Sequence, residues 1–210
     1  MQAYEEQLSK SFDHLLAEAD DYFLDTAKLH STLAELTRRL DEAGIPYAVL
    51  DAIAWARYGY QRMTVDIDLL LSPNGLARFQ EECVGRGYVP AYSGATKSFR
   101  ATGTGVRVDI LTSGEYPGDG KPKPVVYPEP AEVAVEMDGV QVVKLEKLIE
   151  FKLASGISAP HRLRDLADVQ DTISALKLPE DFADRLDPSV RAVYLDMWRR
   201  AQTAPSHGAE

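Results

Sequence analysis

The sequence predicts an α/β protein: a small mixed sheet flanked by helices, followed by a helical C-terminal region. Three observations predict it. Short apolar runs of strand length fill the middle of the chain, helical periodicity precedes them, and from Leu145 to about Arg200 the pattern is helical again. The division expected is N-terminal helices over residues 1–43, an α/β core over 44–143, a helical region over 144–203 and a disordered tail over 204–210.

Taken in order, Tyr4 to Ala27 and Lys28 to Ala43 read as helices, the second closed by Gly44. Ile45 to Leu50 is the first strand, Ala52 to Tyr58 a short helix and Val65 to Leu71 the second strand. Ser72-Pro73-Asn74-Gly75 punctuates before a helix over Leu76 to Val84, which Gly85 and Gly87 close. Tyr88 to Tyr92, Lys97 to Thr102 and Val106 to Leu111 read as strands, and Ser113 to Pro130 as a Gly- and Pro-rich loop. Glu132 to Val143 reads as a hairpin, because Asp138-Gly139 is a strong two-residue turn signal. The helical pattern beyond it breaks near Gly156 to Pro160, Pro179 and Pro188.

Composition narrows the function classes. With 33 acidic against 23 basic residues and a net charge of −10, nonspecific nucleic-acid binding is disfavoured, although a local basic patch is compatible with it. The apolar runs fall short of a membrane span, and the first ten residues lack a signal peptide's basic start and apolar segment. One cysteine, Cys83, leaves no internal disulfide and fits a reducing cytoplasm, which is the expected location. The four histidines show no metal-ligand spacing.

The chemistry is expected at three aspartates. Asp66 and Asp68 lie inside an apolar strand, where an uncompensated carboxylate costs several kcal/mol. Alternation puts both on one face with Leu70, and Val65, Ile67, Leu69 and Leu71 on the other. Two like charges about 6–7 Å apart call for something positive between them, and Mg²⁺ (or Mn²⁺) suits carboxylate oxygens while keeping positions free for phosphates. Asp109, centred in Val106 to Leu111, can join them if its strand lies alongside; the other reading is that it pairs with Arg107 or another nearby cation. Three such carboxylates can hold two ions, clamp a nucleotide's phosphates and activate a hydroxyl.

A fourth candidate is Lys152. It falls on the apolar stripe of Leu145, Leu148, Ile149 and Leu153, where an ammonium needs an anion or a route to solvent. In the next helix Leu163, Leu166, Val169 and Ile173 form the expected core stripe, with Asp165 at its edge, able to pair with Lys152 or orient a substrate, and Asp168 turned further to solvent. Trp55 and Trp198 read as packing residues.

These residues resemble a family. The order of strand, small-residue helix and GYQRMTVDIDLLL, with a later strand carrying a third Asp, is similar to the nucleotidyltransferase superfamily. The R-x-T-x-D-x-D form at Arg62, Thr64, Asp66 and Asp68 resembles its AbiEii-type branch, which includes toxins of toxin–antitoxin systems. So does a helical lysine followed by Arg162, Arg164, Asp165 and Asp168, with Arg164 in place of Lys. The resemblance covers roughly Gly44 to Leu176. It implies catalysis and metal binding by Asp66, Asp68 and Asp109, with substrate contacts from Arg62, Thr64, Lys152 and Asp165. A nucleoside triphosphate is the implied donor, an RNA or protein hydroxyl the acceptor, and a cognate antitoxin a partner; no membrane is involved.

One departure matters. Where the family has Gly-Gly or Gly-Ser, this chain has Asp51-Ala52. A carboxylate about 5 Å from a phosphate costs roughly 3 kcal/mol at an effective dielectric of about 20, and an N-cap role for Asp51 is available in its place. Two expectations therefore stand: metal-dependent nucleotidyl transfer, or a catalytically degenerate member of the fold that binds a ligand or protein.

Overall fold

The computed structural model describes residues 25–203, so the expected helix over Tyr4 to Ala27 falls almost wholly outside the described residues, and the tail over 204–210 does so entirely. Residues 25–42 are helical (α1), with no break at Ala27-Lys28 where one was expected. Gly44, at φ +58°, ends this helix in the left-handed region, and the Ile45 amide donates back to the Leu40 carbonyl at 2.9 Å.

The elements that follow are β1 Tyr47–Val49, α2 Asp51–Arg57, β2 Asp66–Leu71, α3 Pro73–Cys83, β3 Tyr88–Pro90, β4 Ser98–Ala101 and β5 Arg107–Thr112. After a long loop come α4 Pro130–Val133, β6 Ala134–Met137, β7 Val140–Val143, α5 Leu145–Ser158, α6 Leu163–Leu176 and α7 Pro188–Thr203, with 3₁₀ turns at Pro160–Arg162 and Glu180–Arg185. The strands form one seven-stranded mixed sheet in the order β3-β4-β5-β2-β1-β7-β6. Helices flank it, and α5, α6 and α7 form the helical C-terminal region. Among the described residues no helix is long and apolar enough to cross a membrane.

Two parallel pairings, β2 with β5 and β1 with β7, make the sheet mixed; the rest are antiparallel. The β6–β7 hairpin turns at Asp138 and Gly139, both at positive φ (+52° and +75°), as the Asp-Gly pair requires. On one face of the sheet Ile67, Val108 and Phe99 lie side by side across β2, β5 and β4, and Phe79 of α3 meets Phe99 edge-on at 5.1 Å. That face belongs to the apolar core, which also takes in Leu70 of the opposite face.

Three of the boundaries that differ from expectation have a bearing on the core and the site. Helix α3 starts at Pro73, because Ser72 caps it by accepting the Gly75 amide at 2.9 Å and proline suits the first helical position. The strand β2 begins at Asp66, leaving Val65 71 % exposed, outside the apolar face to which alternation would assign it. The first strand is confined to Tyr47–Val49.

Candidate active site

Register brings the three strand aspartates to one face. In the β2–β5 ladder Asp66 lies opposite Arg107 and Asp68 opposite Asp109, and β4 sets Ser98 beside Asp109. Directly opposed residues share a face, so Asp66, Asp68 and Asp109 stand on the side away from Ile67, Val108 and Phe99. Thr64 donates to Asp66 Oδ1 at 2.5 Å. Arg107 donates to Asp109 Oδ1 from Nε at 3.0 Å and lies 2.8 Å from Oδ2 through Nη2. Thus the Arg107 pairing weighed from the sequence is present.

Asp68 differs from both. Among the described residues its carboxylate has no hydrogen-bond or ion-pair partner. Burial, followed by the charges of Asp51, Asp66 and Asp109, pushes it up to about 7 against the pull of Lys152. An all-oxygen donor set with one partnerless carboxylate fits a hard divalent cation in its chemistry. As they stand, no three acidic, histidine or cysteine groups among the described residues are close enough to share one ion, and Arg107 is what occupies Asp109. Asp66 and Asp68, which have no ion pair among the described residues, are the uncommitted part of the set.

The other half of the cleft is built around Lys152 of α5. Its ammonium lies 2.8 Å from Asp51, 2.9 Å from Asp165 and 3.1 Å from Asp168. Ser155, one turn on, donates to Asp165 Oδ2 at 2.5 Å. Arg62 donates to Asp51 Oδ1 at 2.6 Å, and its Nε lies 3.7 Å from Asp168. Burial disfavours the Lys152 charge, yet Asp51 and Asp165 outweigh it and raise the ammonium above its ordinary range. Likewise burial opposes the Asp51 charge, while Lys152 and Arg62 hold its carboxyl below the usual value.

Asp51 is not an N-cap. Leu50 holds that position without a side-chain bond, and Asp51 opens α2 at φ +51°, a left-handed conformation that Gly adopts freely and Asp tolerates at some cost. Asp168 is also corrected: its side chain is 5 % exposed and faces Lys152. Leu163, expected in the core stripe, is 68 % exposed. The reason is shared. The face of α6 turned inwards carries Asp165 and Asp168 alongside Val169, Thr172 and Ile173, because two carboxylates answer the buried lysine.

Two hollows flank this hub. An inner one of about 120 Å³ is lined by Asp68, Tyr127, Phe151, Ser155 and Arg162, and an outer one of about 390 Å³ by Arg62, Thr64, Asp66, Arg164 and Asp168. Asp51, Lys152 and Asp165 line both. A larger hollow of about 830 Å³ between α1 and α2 shares Arg62 and Thr64 but touches none of the strand aspartates.

Sequence reasoning passed over Tyr127 and Ser155. Ser155 stands three residues after Lys152 and so on its helical face, a usable signal. Tyr127 had none, since it sits in the Gly- and Pro-rich loop. That loop is pressed onto α5 at Gly118 (φ +78°), where a Cβ would come within 2.9 Å of Ser155 Cα. Tyr127 meets Phe151 edge-on at 4.9 Å, and burial drives its hydroxyl well above the ordinary range, keeping it a neutral donor.

No family model matches the chain, and no curated protein matches it. Several solved structures are similar to it. A candidate nucleotidyltransferase from Thermotoga maritima shares 17 % identity at a TM-score of 0.48, covering 68 % of this chain and 92 % of its own. The structure of ANT(2'')-Ia in complex with adenylyl-2''-tobramycin shares 14 % at 0.49, covering 83 % and 98 %. A nucleotidyltransferase-like antigenic protein from Paracoccidioides brasiliensis shares 14 % at 0.45, covering 70 % and 76 %. At identities and TM-scores this low, the likeness says nothing of substrate or residue roles.

Proposed function

We propose that the chain is a metal-dependent nucleotidyltransferase that moves a nucleotide from a nucleoside triphosphate to an RNA or protein hydroxyl. The observation that carries this reading is the ladder pair Asp68–Asp109 beside Asp66, with no partner on the Asp68 carboxylate. Asp66 and Asp68 would hold Mg²⁺ or Mn²⁺, joined by Asp109 once Arg107 lets go. When bound, the ion supplies charge neutralisation at the polyphosphate and acidifies a nearby hydroxyl. Thr64 fixes the rotamer of Asp66. Asp109 would take the acceptor's proton, as the acceptor oxygen bonds to the α-phosphorus and the bond to pyrophosphate breaks. Arg62 and Lys152 are cations available to phosphates, and Tyr127 and Phe151 line the inner hollow with Asp68.

The arrangement belongs, in this proposal, to the AbiEii-type branch suggested by Arg62, Thr64, Lys152 and Asp165, with a toxin–antitoxin role in the cytoplasm and a cognate antitoxin as partner. The α/β core over 44–143 carries the carboxylates, and the helical region over 144–203 closes the cleft. The test is incubation with each labelled nucleoside triphosphate, Mg²⁺ and total RNA or cell extract. Transfer of label by the natural chain but not by Asp68→Asn is expected; no labelled product with any nucleotide overturns it.

A second reading is favoured by one specific observation. Lys152 is already matched by three carboxylates, and Asp51 holds Arg62 as well. A degenerate member of the fold, binding a ligand or protein without turnover, would look the same. It predicts that no nucleotide is transferred while the folded chain retains a saturable ligand.

A further inference from the structure

Asp51 stands where the two hollows meet. One oxygen, Oδ1, receives both cations, Arg62 Nη2 at 2.6 Å and Lys152 Nζ at 2.8 Å. The backbone beneath it is left-handed at φ +51°, so the side chain is held in place by its ionic partners against a conformational cost. The two cations depend on it unequally. Lys152 keeps Asp165 and Asp168 if Asp51 leaves. Arg62 keeps only the 3.7 Å contact of its Nε with Asp168, and that buried Nε has no hydrogen-bond partner, so it is a donor left unsatisfied. A group with several anionic oxygens would serve both cations and that spare donor, which a single carboxylate oxygen does not.

We propose that Asp51 is a displaceable internal anion, occupying between Arg62 and Lys152 the place of a phosphate group, so that a polyphosphate enters by pushing it aside and joining the inner and outer hollows. The inference rests on reading the cleft as a polyphosphate site. It goes further in giving the Asp51 side chain the part of a competing ligand, which sets how strongly the cleft discriminates against anions. The competing account makes Asp51 a fixed tie between α2 and α5, with no bearing on ligands.

Inorganic tripolyphosphate with Mg²⁺ tests this by calorimetry at low salt, on the natural chain and on Asp51→Asn. Asparagine keeps the shape and tolerates the left-handed backbone. Affinity should rise tenfold or more in Asp51→Asn, and the gain should vanish when Arg62→Ala is added. Should Asp51→Asn fail to fold by circular dichroism, Asp51→Gly takes its place, since glycine suits φ +51°. Affinity within twofold of the natural chain, absence of binding in all variants, or a gain that survives Arg62→Ala overturns the proposal. Label transfer is scored separately. Transfer without an affinity change defeats this inference alone, and an affinity gain without transfer by any variant defeats the enzymatic reading alone.

Discussion

The cleft has two acidic halves that treat charge in opposite ways. Around Lys152, Asp51, Asp165 and Asp168 share a lysine and the nearby Arg62, and every carboxylate has a cation within 3.1 Å. On the strand face Asp66 has a hydroxyl, Asp109 has Arg107, and Asp68 has no partner. The residue types are alike, although Asp165 and Asp168 are buried and the three strand aspartates half-buried. What differs is the supply of cations: α5 brings Lys152 and the segment before β2 brings Arg62, whereas the strands bring Arg107, which Asp109 takes. The helical half is electrostatically complete, and the strand half asks for a charge from outside.

The largest blow to this contrast would fall on Lys152. Lys152→Ala leaves three poorly exposed carboxylates without their shared cation, and should cost about 3–5 kcal/mol of stability, as loss of one partner from a buried ion pair does. Thermal melting should show a fall of roughly 10 °C. A loss below about 1 kcal/mol would mean that the hub is not complete in the sense argued here.

Asp68 should behave in the opposite way. Its carboxyl rises from an ordinary 3.8 to about 7, so between those values the folded chain holds a proton that the unfolded chain has released. Stability from this group is full below about pH 4 and is lost as pH climbs through about 7. In EDTA, Asp68→Asn should therefore stabilise the chain by about 2 kcal/mol at pH 8, after discounting for the solvent in the cleft, and flatten that pH dependence. Urea melts across pH 5 to 8 measure both, and a less stable Asp68→Asn at pH 8 would contradict the assignment.

Arg107 separates the two halves more finely. Removing it by Arg107→Ala frees Asp109 to join the pair on β2, so Mn²⁺ should bind about tenfold more tightly, a change of about 1.4 kcal/mol. Unchanged Mn²⁺ affinity in calorimetry would show that Asp109 plays no part in holding an ion. The smallest effect belongs to Leu163→Ala, which should change stability by less than about 0.5 kcal/mol because the side chain is 68 % exposed. A loss of 2 kcal/mol on melting would restore it to the core.

The strand half was readable because its signal is local. Alternation around Asp66 and Asp68 fixes a shared face whatever the partner strand, and Asp138-Gly139 and Gly44 each need a left-handed backbone that few residues supply. The helical half was harder, since a wheel gives relative directions and apolar residues alone set its origin. With Leu163 counted into the stripe, the wheel of α6 turned towards Leu163 and carried Asp168 to solvent; the lysine on another helix decides otherwise. Nothing local reveals that Asp51 answers Arg62 and Lys152, because those partners meet only in the folded chain.

The parallel pairing of β1 with β7 sets a timetable. Tyr47, Ala48 and Val49 are core residues, and β2 covers one side of their strand as soon as Leu71 is made. The other side waits for Val142, after the whole acidic face and the long loop have been synthesised. Until then the growing chain presents an apolar strand edge with unused amides and carbonyls, the kind of edge on which foreign strands pair. A polypeptide stopped between Thr112 and Val140 would carry the three aspartates in register and still be the form most prone to aggregate.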